Sequence, residues 1–600
     1  MPTIPISKAQ SEYDVIIVGS GAGGGQMAYT LALAGIKCLM LEAGRSYDVV
    51  KETPMFQTGK DAPLGGSSTP DKNFGFFDAT IDGGWQVPNE PYTQASDKPE
   101  EQFMWWRARM MGGRTNHWGR ISLRNGPYDF KPYSRDGLGF DWPISYDDLE
   151  PYYTKVERLI GVYGTNEGLE NTPDSPKGVL QAPPKGRVGD LMIQKHAKKL
   201  GVPVVSIHRA VLTEPQNGKD LAPKLHPDNP KAQKIVEESM SSRAACFWAT
   251  ECGRGCSIRA NYQSTTVHIP PADATGNLDI IADAHVREVI VGKDGKAKGV
   301  LFIDKITGKE ERVKGKAVVL AASSGETVRI LLNSASGKGI ANSSGLVGKY
   351  IMDTVGSDMS GQIPALENLP AHNDDGAGGC HFYSPWWLYK EQKAGKMDFA
   401  RGYHIEISGT RGMPKGNNPV PGHVLEGLYG RELKEAARRY YGSFIHIACR
   451  GEMIPNEGSF AELDPEVKDK WGIPVMKWHW KWSDHEWNMA VHAQKTFAEI
   501  FESAGGKGLF DPKRDPKRDP KKTLLKGGQV IHEVGGAIMG ADSKKSVCNQ
   551  WNQTWDIKNL LLCDGAPFAS NADKNPTETI MALAWRAADR LIEQARKGNL

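Results

Sequence analysis

The sequence predicts an α/β protein: a Rossmann-like dinucleotide-binding domain built from separated segments, joined to an α+β domain with an antiparallel sheet. A βαβ pattern with a glycine fingerprint opens the chain, short apolar strands return between residues 278 and 320, and alternating apolar and polar residues mark the stretch from 345 to 500. At 600 residues the chain is several times longer than an ordinary domain, so two or more structural regions are expected.

The first strand is Tyr13-Asp14-Val15-Ile16-Ile17-Val18, a β-branched apolar run that reads as a buried parallel strand. It leads into Gly19-Ser20-Gly21-Ala22-Gly23-Gly24, then a small, helix-compatible segment from Gly25 to Ala34, then a second strand, Lys37-Cys38-Leu39-Met40-Leu41, ending at Glu42. Gly19 permits the tight turn, Gly21 lets backbone N–H groups approach a pyrophosphate at the helix N-terminus, and Gly24 lets helix and strand pack closely. Glu42 is placed to accept from both ribose hydroxyls, and its charge repels a 2′-phosphate. The fingerprint leaves NAD and FAD both open.

Residues 91–120 and 125–163 read as ordered loops with a short helix over 147–160, and the polar, Pro- and Lys-rich stretch 165–245 as insertions and solvent-facing loops. Strands return at Leu278–Ile281, Val286–Val291, Gly299–Asp304 and Ala317–Leu320, with a hairpin at residues 292–299 and a helix over 326–333. Met476, Trp478, Trp480 and Trp482 alternate with Lys477, His479 and Lys481, the pattern of a sheet with one covered face. The aromatic row reads first as core and second as the wall of a sugar-sized cleft. The tandem repeat Asp511–Lys522 holds no apolar residue and offsets much of its base with acid, so it reads as a solvated loop.

With Lys+Arg at 74 and Asp+Glu at 71, the formal charge of +3 supplies no field for a polyanion, and nucleic acid is not expected as a partner. No apolar run approaches the roughly 18 residues that cross a bilayer, and Met1–Asp14 lacks the pattern of a signal peptide. The expectation is a chain that is not itself transmembrane and is cytoplasmic by default. Eight cysteines are too sparse for a disulfide scaffold.

Near the C-terminus, His532-Glu533-Val534-Gly535-Gly536-Ala537 precedes Leu560-Leu561-Leu562-Cys563-Asp564-Gly565 and Asn575-Pro576-Thr577-Glu578, with an apolar helix from Met581 to Ile592. Together with the N-terminal fingerprint, Trp142–Tyr153, the strands around 280–320 and Trp471–Val475, these motifs stand in the order of the glucose-methanol-choline (GMC) family of flavoprotein oxidoreductases, which the chain resembles through most of its length. The resemblance implies FAD and a division into FAD-binding segments at 1–130, 241–345 and 526–600, a substrate or cap region at 131–240 and a substrate-binding domain at 346–525. It assigns His532 as the catalytic histidine and Asn575 as its polar partner beside flavin N5. Alcohol oxidation needs a base of pKa about 7 to take the hydroxyl proton as the carbon hydride departs. Gly19, Gly21, Gly24, Glu42, Val286 and Asp564 fall to the cofactor by the same likeness.

Gly113, Asn116 and His117, in Gly112–Trp118, resemble the family's second flavin-binding segment, where some members attach a histidine covalently to the flavin 8α carbon; the alternative is a His117 that packs at the isoalloxazine edge. Cys246, Cys252 and Cys256, spaced C-x5-C-x3-C, resemble the ligands of a [3Fe-4S] cluster in bacterial sugar dehydrogenases of this family, with thiols near the flavin as the alternative. Zinc wants four ligands, and no CxxC pair or fourth nearby cysteine supplies them, which leaves His268 as the one open alternative. The stretch 321–334 departs from the family pattern and carries no assigned role. The resemblance thus implies an FAD-dependent dehydrogenase of a pyranose or glucoside hydroxyl, at C3 for glucosides, with an external acceptor such as a cytochrome c. It also implies a small chaperone-like subunit and a periplasmic location if a signal-bearing partner exports the chain. An O2-using oxidase and a non-catalytic electron-transfer subunit are the alternatives.

Overall fold

In the computed structural model, which describes residues 3–53, 83–247, 252–369, 382–409, 420, 424–509 and 520–599, strands from distant stretches of sequence meet in one sheet. They are β1 (Tyr13–Val18), β2 (Cys38–Leu41), β3 (Leu278–Ile281), β4 (Ala284–Val291), β5 (Ala297–Asp304) and β6 (Glu310–Leu320), joined by Leu560–Leu562. The order β3-β2-β1-β6 and then Leu560–Leu562 is parallel throughout, with Ile16 opposite both Leu39 and Val318, and Val318 opposite Leu560. The first half of β6 pairs instead with β5, and β5 with β4, antiparallel, which is the hairpin the sequence predicts.

A parallel sheet is apolar on both faces because helices cover both. Val15 and Ile17 pack with Met27 and Leu31 of α1 (Ala22–Leu33), while Ile16 and Val18 face the larger core on the other side. Each fully buried aliphatic side chain contributes roughly 2 kcal/mol through its removal from water. Three further helices complete the frame: α2 (Tyr146–Ile160), α3 (Ser324–Gly337) and α4 (Asp484–Ser503). The C-terminal helix, α5 (Thr577–Arg596), lies beside α1.

Residues 165–245 differ from their reading as loops. They hold helices Val188–Lys199, Gly218–Leu225 and Pro230–Met240. Leu221, Leu225, Val236 and Met240 bury against Tyr29 of α1 and Trp585 of α5. Their helical spacing is diluted by lysines and glutamates on the outer face, which hides it from a composition-based reading.

The expected antiparallel sheet divides in two. A six-stranded sheet runs in the order Lys507–Leu509, β7 (Val355–Gln362), β9 (Phe444–Gly451), β8 (Tyr403–Ser408), Phe382–Ser384 and Val205–Ser206. Its apolar face, with Ile405, Ile407, Ile445 and Ile447, is covered by Met489, Ala493 and Phe497 of α4. The strand Pro474–His479 belongs instead to a small three-stranded sheet with Phe460–Lys468 and Thr93–Gln94. Met476, Trp478, Trp480 and Trp482 are buried there, with Phe103 stacked on Trp478 at 4.3 Å. The aromatic row is core, and the cleft-wall alternative falls. The tandem repeat lies almost wholly outside the described residues. Among the described residues no helix is long and apolar enough to cross a membrane.

Candidate active site

The C-terminal ends of β1, β6 and Leu560–Leu562 converge on the glycine fingerprint. Gly19 has φ +98, and a Cβ there would lie 2.3 Å from the Ala321 carbonyl oxygen; a Cβ on Gly23 would lie 1.7 Å from that of Cys563, and one on Gly24 1.9 Å from that of Gly19. Two glycines therefore serve close packing where the sequence reading named Gly24 alone. A Cβ on Gly21 meets nothing within 4 Å, so the helix N-terminus opens there onto space that a phosphate can fill. Glu42, buried beside it, accepts from Ser20 N and Oγ and from Gly44 N at 2.7 Å, and burial pushes its carboxyl above the usual range. The backbone of Ala284 ties β4, and with it the buried Val286, to Glu42 O at 2.8 Å. These residues fit a dinucleotide.

The Gly112–Trp118 segment lies against this cradle: Gly112 N donates to Ser20 Oγ at 2.8 Å, and Gly113 has φ +51. Asn116 is fully buried, donating to Met111 O and accepting from Gln263 Nε2, so it braces the segment. The half-buried His117 ring packs edge-on to Trp106, and a Cβ on Gly83 would lie 3.0 Å from its Nε2. Asp564 accepts from Thr327 Oγ1 at 2.5 Å and Ala566 N at 2.8 Å; burial raises it to about 6. Thus α3, which starts inside the stretch without an assigned role, holds the Asp564 turn through Thr327, and Ser324 Oγ donates to Gly535 O at 2.6 Å.

His532 and Asn575, 43 residues apart, meet: Asn575 Nδ2 donates to His532 Nε2 at 3.2 Å. On the other side of the ring, Nδ1 lies 3.0 Å from Thr354 Oγ1, which also accepts from Asn571 Nδ2 at 3.4 Å. This arrangement puts the ring proton on Nδ1 and leaves the Nε2 lone pair toward Asn575. Burial, helped by the Arg450 guanidinium, pushes His532 down to about 3, so the imidazole is neutral. Ile531 has φ +66, a strained conformation for a β-branched residue. The Asp353 carboxylate holds that turn by accepting from Val530 N at 3.3 Å and His532 N at 2.9 Å. Burial, and then Glu533, raises Asp353 to about 7. Glu533 in turn pairs with Arg114 of the flavin-side segment at 2.6 Å.

Just before Asn575, Lys574 Nζ lies 2.6 Å from Asp573 Oδ1 and 3.0 Å from Asp129 Oδ2. Asp129, Glu452 and Asp573 form the one three-donor group within 4.8 Å among the described residues, but Lys574 pairs with the two aspartates and Arg135 with Glu452 at 3.2 Å.

The cysteine loop adjoins the His117 segment. Arg120 Nη1 donates to both Trp118 O and Cys252 O, while Nη2 donates to Thr115 O and Asn116 O. Cys246 and Cys252 pack on Tyr163 and Val211, and Cys256 is buried, its thiol pushed up by burial. The three sulfurs do not converge within 4.8 Å, whereas a tetrahedral zinc site would hold them about 3.8 Å apart. His268 is turned to Tyr262, with Nδ1 3.1 Å from its hydroxyl, and is not a fourth ligand. The arrangement rules out zinc held by these three sulfurs and leaves both sequence readings standing, a polynuclear cluster and thiols alone.

Sequence reasoning missed Asp353, Thr354, Asn571, Arg114 and Arg120. Of these, only Arg114, inside the Gly112–Trp118 motif, carried a local signal; the rest reach the site by tertiary folding.

Models of the family described as GMC oxidoreductase match residues 13–357 and 455–584. The chain is 28% identical to 2-methyl-1,2-propanediol dehydrogenase of Mycolicibacterium austroafricanum, over 97% of this chain and 96% of that one. It is likewise 28% identical to the fructose dehydrogenase large subunit of Gluconobacter japonicus, over 98% of each. Among solved structures, pyridoxine 4-oxidase from Mesorbium loti superposes with a TM-score of 0.60 at 13% identity, over 96% of this chain and 99% of that one, a likeness of fold.

Proposed function

We propose, on the premise that this chain belongs to the GMC oxidoreductase family, that it is a dehydrogenase converting a pyranose or glucoside hydroxyl to a carbonyl. Enzymes of this family are FAD-dependent and act on CH–OH groups. The observation that carries the reading is the 3.2 Å pair of His532 Nε2 and Asn575 Nδ2 beside the glycine cradle. Relatives named for a vicinal diol and for fructose support a polyhydroxylated substrate.

Gly19, Gly21, Gly24, Glu42, Val286, Gly113, Asn116 and Asp564 would hold FAD, which when bound supplies the hydride acceptor. His532 Nε2 takes the hydroxyl proton, and Asn575 Nδ2 holds the substrate oxygen. Thr354 fixes the ring through Nδ1, and burial leaves Nε2 unprotonated at neutral pH while lowering its basicity below the value near 7 that best suits a general base. His117 is the residue for covalent attachment to the flavin. Cys246, Cys252 and Cys256 would hold a [3Fe-4S] cluster, which supplies one-electron transfer to an external acceptor such as a cytochrome c. A relative named as a large subunit supports partner subunits; a small chaperone-like subunit and export to the periplasm with it belong to the same proposal.

The test is anaerobic mixing of FAD-loaded enzyme with methyl glucoside, glucose and fructose, followed by product analysis. Bleaching of the flavin band and a 3-keto glucoside are expected. No bleaching by any sugar would sink the reading, and rapid reoxidation in air with release of peroxide would replace it by the oxidase.

A further inference from the structure

The six-stranded sheet has a second face, and its register ties that face to His532. Thr354, which holds the His532 ring, stands one residue before β7, so Thr354, Gly356 and Asp358 share a face. Gly356 is opposite Arg450 in β9, and Arg450 is opposite His404 in β8. Residues two apart along β8 put Glu406 on the same side. The face that carries Thr354 to the imidazole therefore also carries Arg450, His404 and Glu406, and Glu406 and His532 are near enough for each to bear on the other's ionisation.

These side chains form a braced carboxylate. Arg450 Nη2 lies 3.1 Å from Glu406 Oε2, and His404 Nε2 lies 3.4 Å from Oε1. His404 is buried behind, its Nδ1 directed to Asp573 at 4.0 Å, whereas Arg450 and Glu406 keep 21% and 13% of their side-chain surfaces exposed. Burial works to raise the Glu406 carboxyl, but the Arg450 guanidinium and the hydrogen bond to His404 outweigh it and hold Glu406 ionised, well below the usual carboxylate range. A carboxylate so fixed offers one outward lone pair on each oxygen, spaced for two neighbouring O–H donors, and the adjacent guanidinium can donate to the same hydroxyl oxygens.

We propose that Glu406, braced by Arg450 and His404, is the anchor for a vicinal diol: the hydroxyl-bearing carbon next to the one that is oxidised. This deepens the function proposed above and rests on it. Glu406 and Arg450 then determine specificity, selecting polyhydroxylated rings over monohydric alcohols.

Dithionite-reduced holoenzyme binds substrates without turning them over. Titration of that form with trans-1,2-cyclohexanediol and with cyclohexanol isolates the second hydroxyl. Wild type should bind the diol at least tenfold more tightly, and Glu406→Gln should bring the two affinities within threefold with the flavin spectrum unchanged. Equal affinities in wild type, or a preference that survives Glu406→Gln, overturns the anchor. Should that variant fail to fold, Arg450→Lys carries the same comparison, and an unaltered preference there is the overturning result. Bleaching of the oxidised enzyme by methyl glucoside reports on the oxidation reaction separately: diol preference without bleaching leaves the anchor and removes the function, and bleaching without preference does the reverse.

Discussion

At the scale of single residues, the site depends on a neutral imidazole held in one orientation. Removing it in His532→Ala should lower the anaerobic rate of flavin reduction about 10²- to 10⁴-fold, the usual contribution of a general base, with bound flavin retained. Because burial takes His532 to about 3 while the unfolded chain has a value near 6.5, the unfolded state binds the extra proton between those limits. Stability linked to this residue is thus full above about pH 6.5 and lost as pH falls toward 3. The rate of reduction should accordingly show no His532 limb near 6.5, and a limb there that persists in Asp353→Asn would contradict the burial of the ring. Asp353 has a different part, since its carboxylate compensates the strained Ile531 turn through two backbone N–H groups. An asparagine keeps one acceptor and presents an amide to the other donor. Asp353→Asn should therefore lower kcat of flavin reduction about 10- to 100-fold, the cost of a displacement of roughly 1 Å, while KM changes less than threefold; a loss confined to KM would place Asp353 in substrate binding instead.

At the scale of elements, the fingerprint separates glycines that serve packing from the one that serves a ligand. Gly23→Ala would drive a Cβ into the Cys563 carbonyl, whereas Gly21→Ala meets no protein atom within 4 Å. Melting of the apoprotein should fall sharply for Gly23→Ala and stay within about 2 °C for Gly21→Ala, whose FAD affinity should nevertheless drop at least tenfold. Equal FAD affinity in Gly21→Ala would move the phosphates elsewhere. This βαβ unit was legible because its strand, turn and helix are contiguous, and so were the hairpin after β4 and helix α5. The six-stranded sheet was legible only as alternation. Its polar face is assembled from β7, β8 and β9, whose paired residues lie between 38 and 96 positions apart, and no local pattern states which residues a ladder will bring abreast. For the same reason the row at Met476–Trp482 could not reveal that its strand pairs with Thr93–Gln94 rather than with β7.

At the scale of the whole molecule, the two halves of the proposed reaction are carried by different segments. In that proposal His532, Asn575 and the polar sheet face act on the substrate, while the cysteine loop is joined to the His117 segment through the Arg120 guanidinium, which burial lowers only to about 10 and so leaves cationic. The motifs of both halves were visible in the sequence, but Arg120, fully buried and bonded to four carbonyls of two segments, gave no sign there of joining them. A division of this kind predicts that the halves fail separately. Cys256→Ser removes one thiolate from the set, and the purified variant should lose iron and acid-labile sulfide while sugar still bleaches its flavin within about twofold of the wild-type rate. Steady turnover with cytochrome c should fall by at least tenfold in the same sample. Iron-free wild-type protein with undiminished turnover would make the cysteines packing groups and send the electrons directly from flavin to acceptor. Acid precipitation completes the argument, because a yellow pellet that turns colourless in His117→Ala requires attachment through His117 whatever the cysteines hold, and a colourless wild-type pellet leaves His117 as a wall of the flavin site.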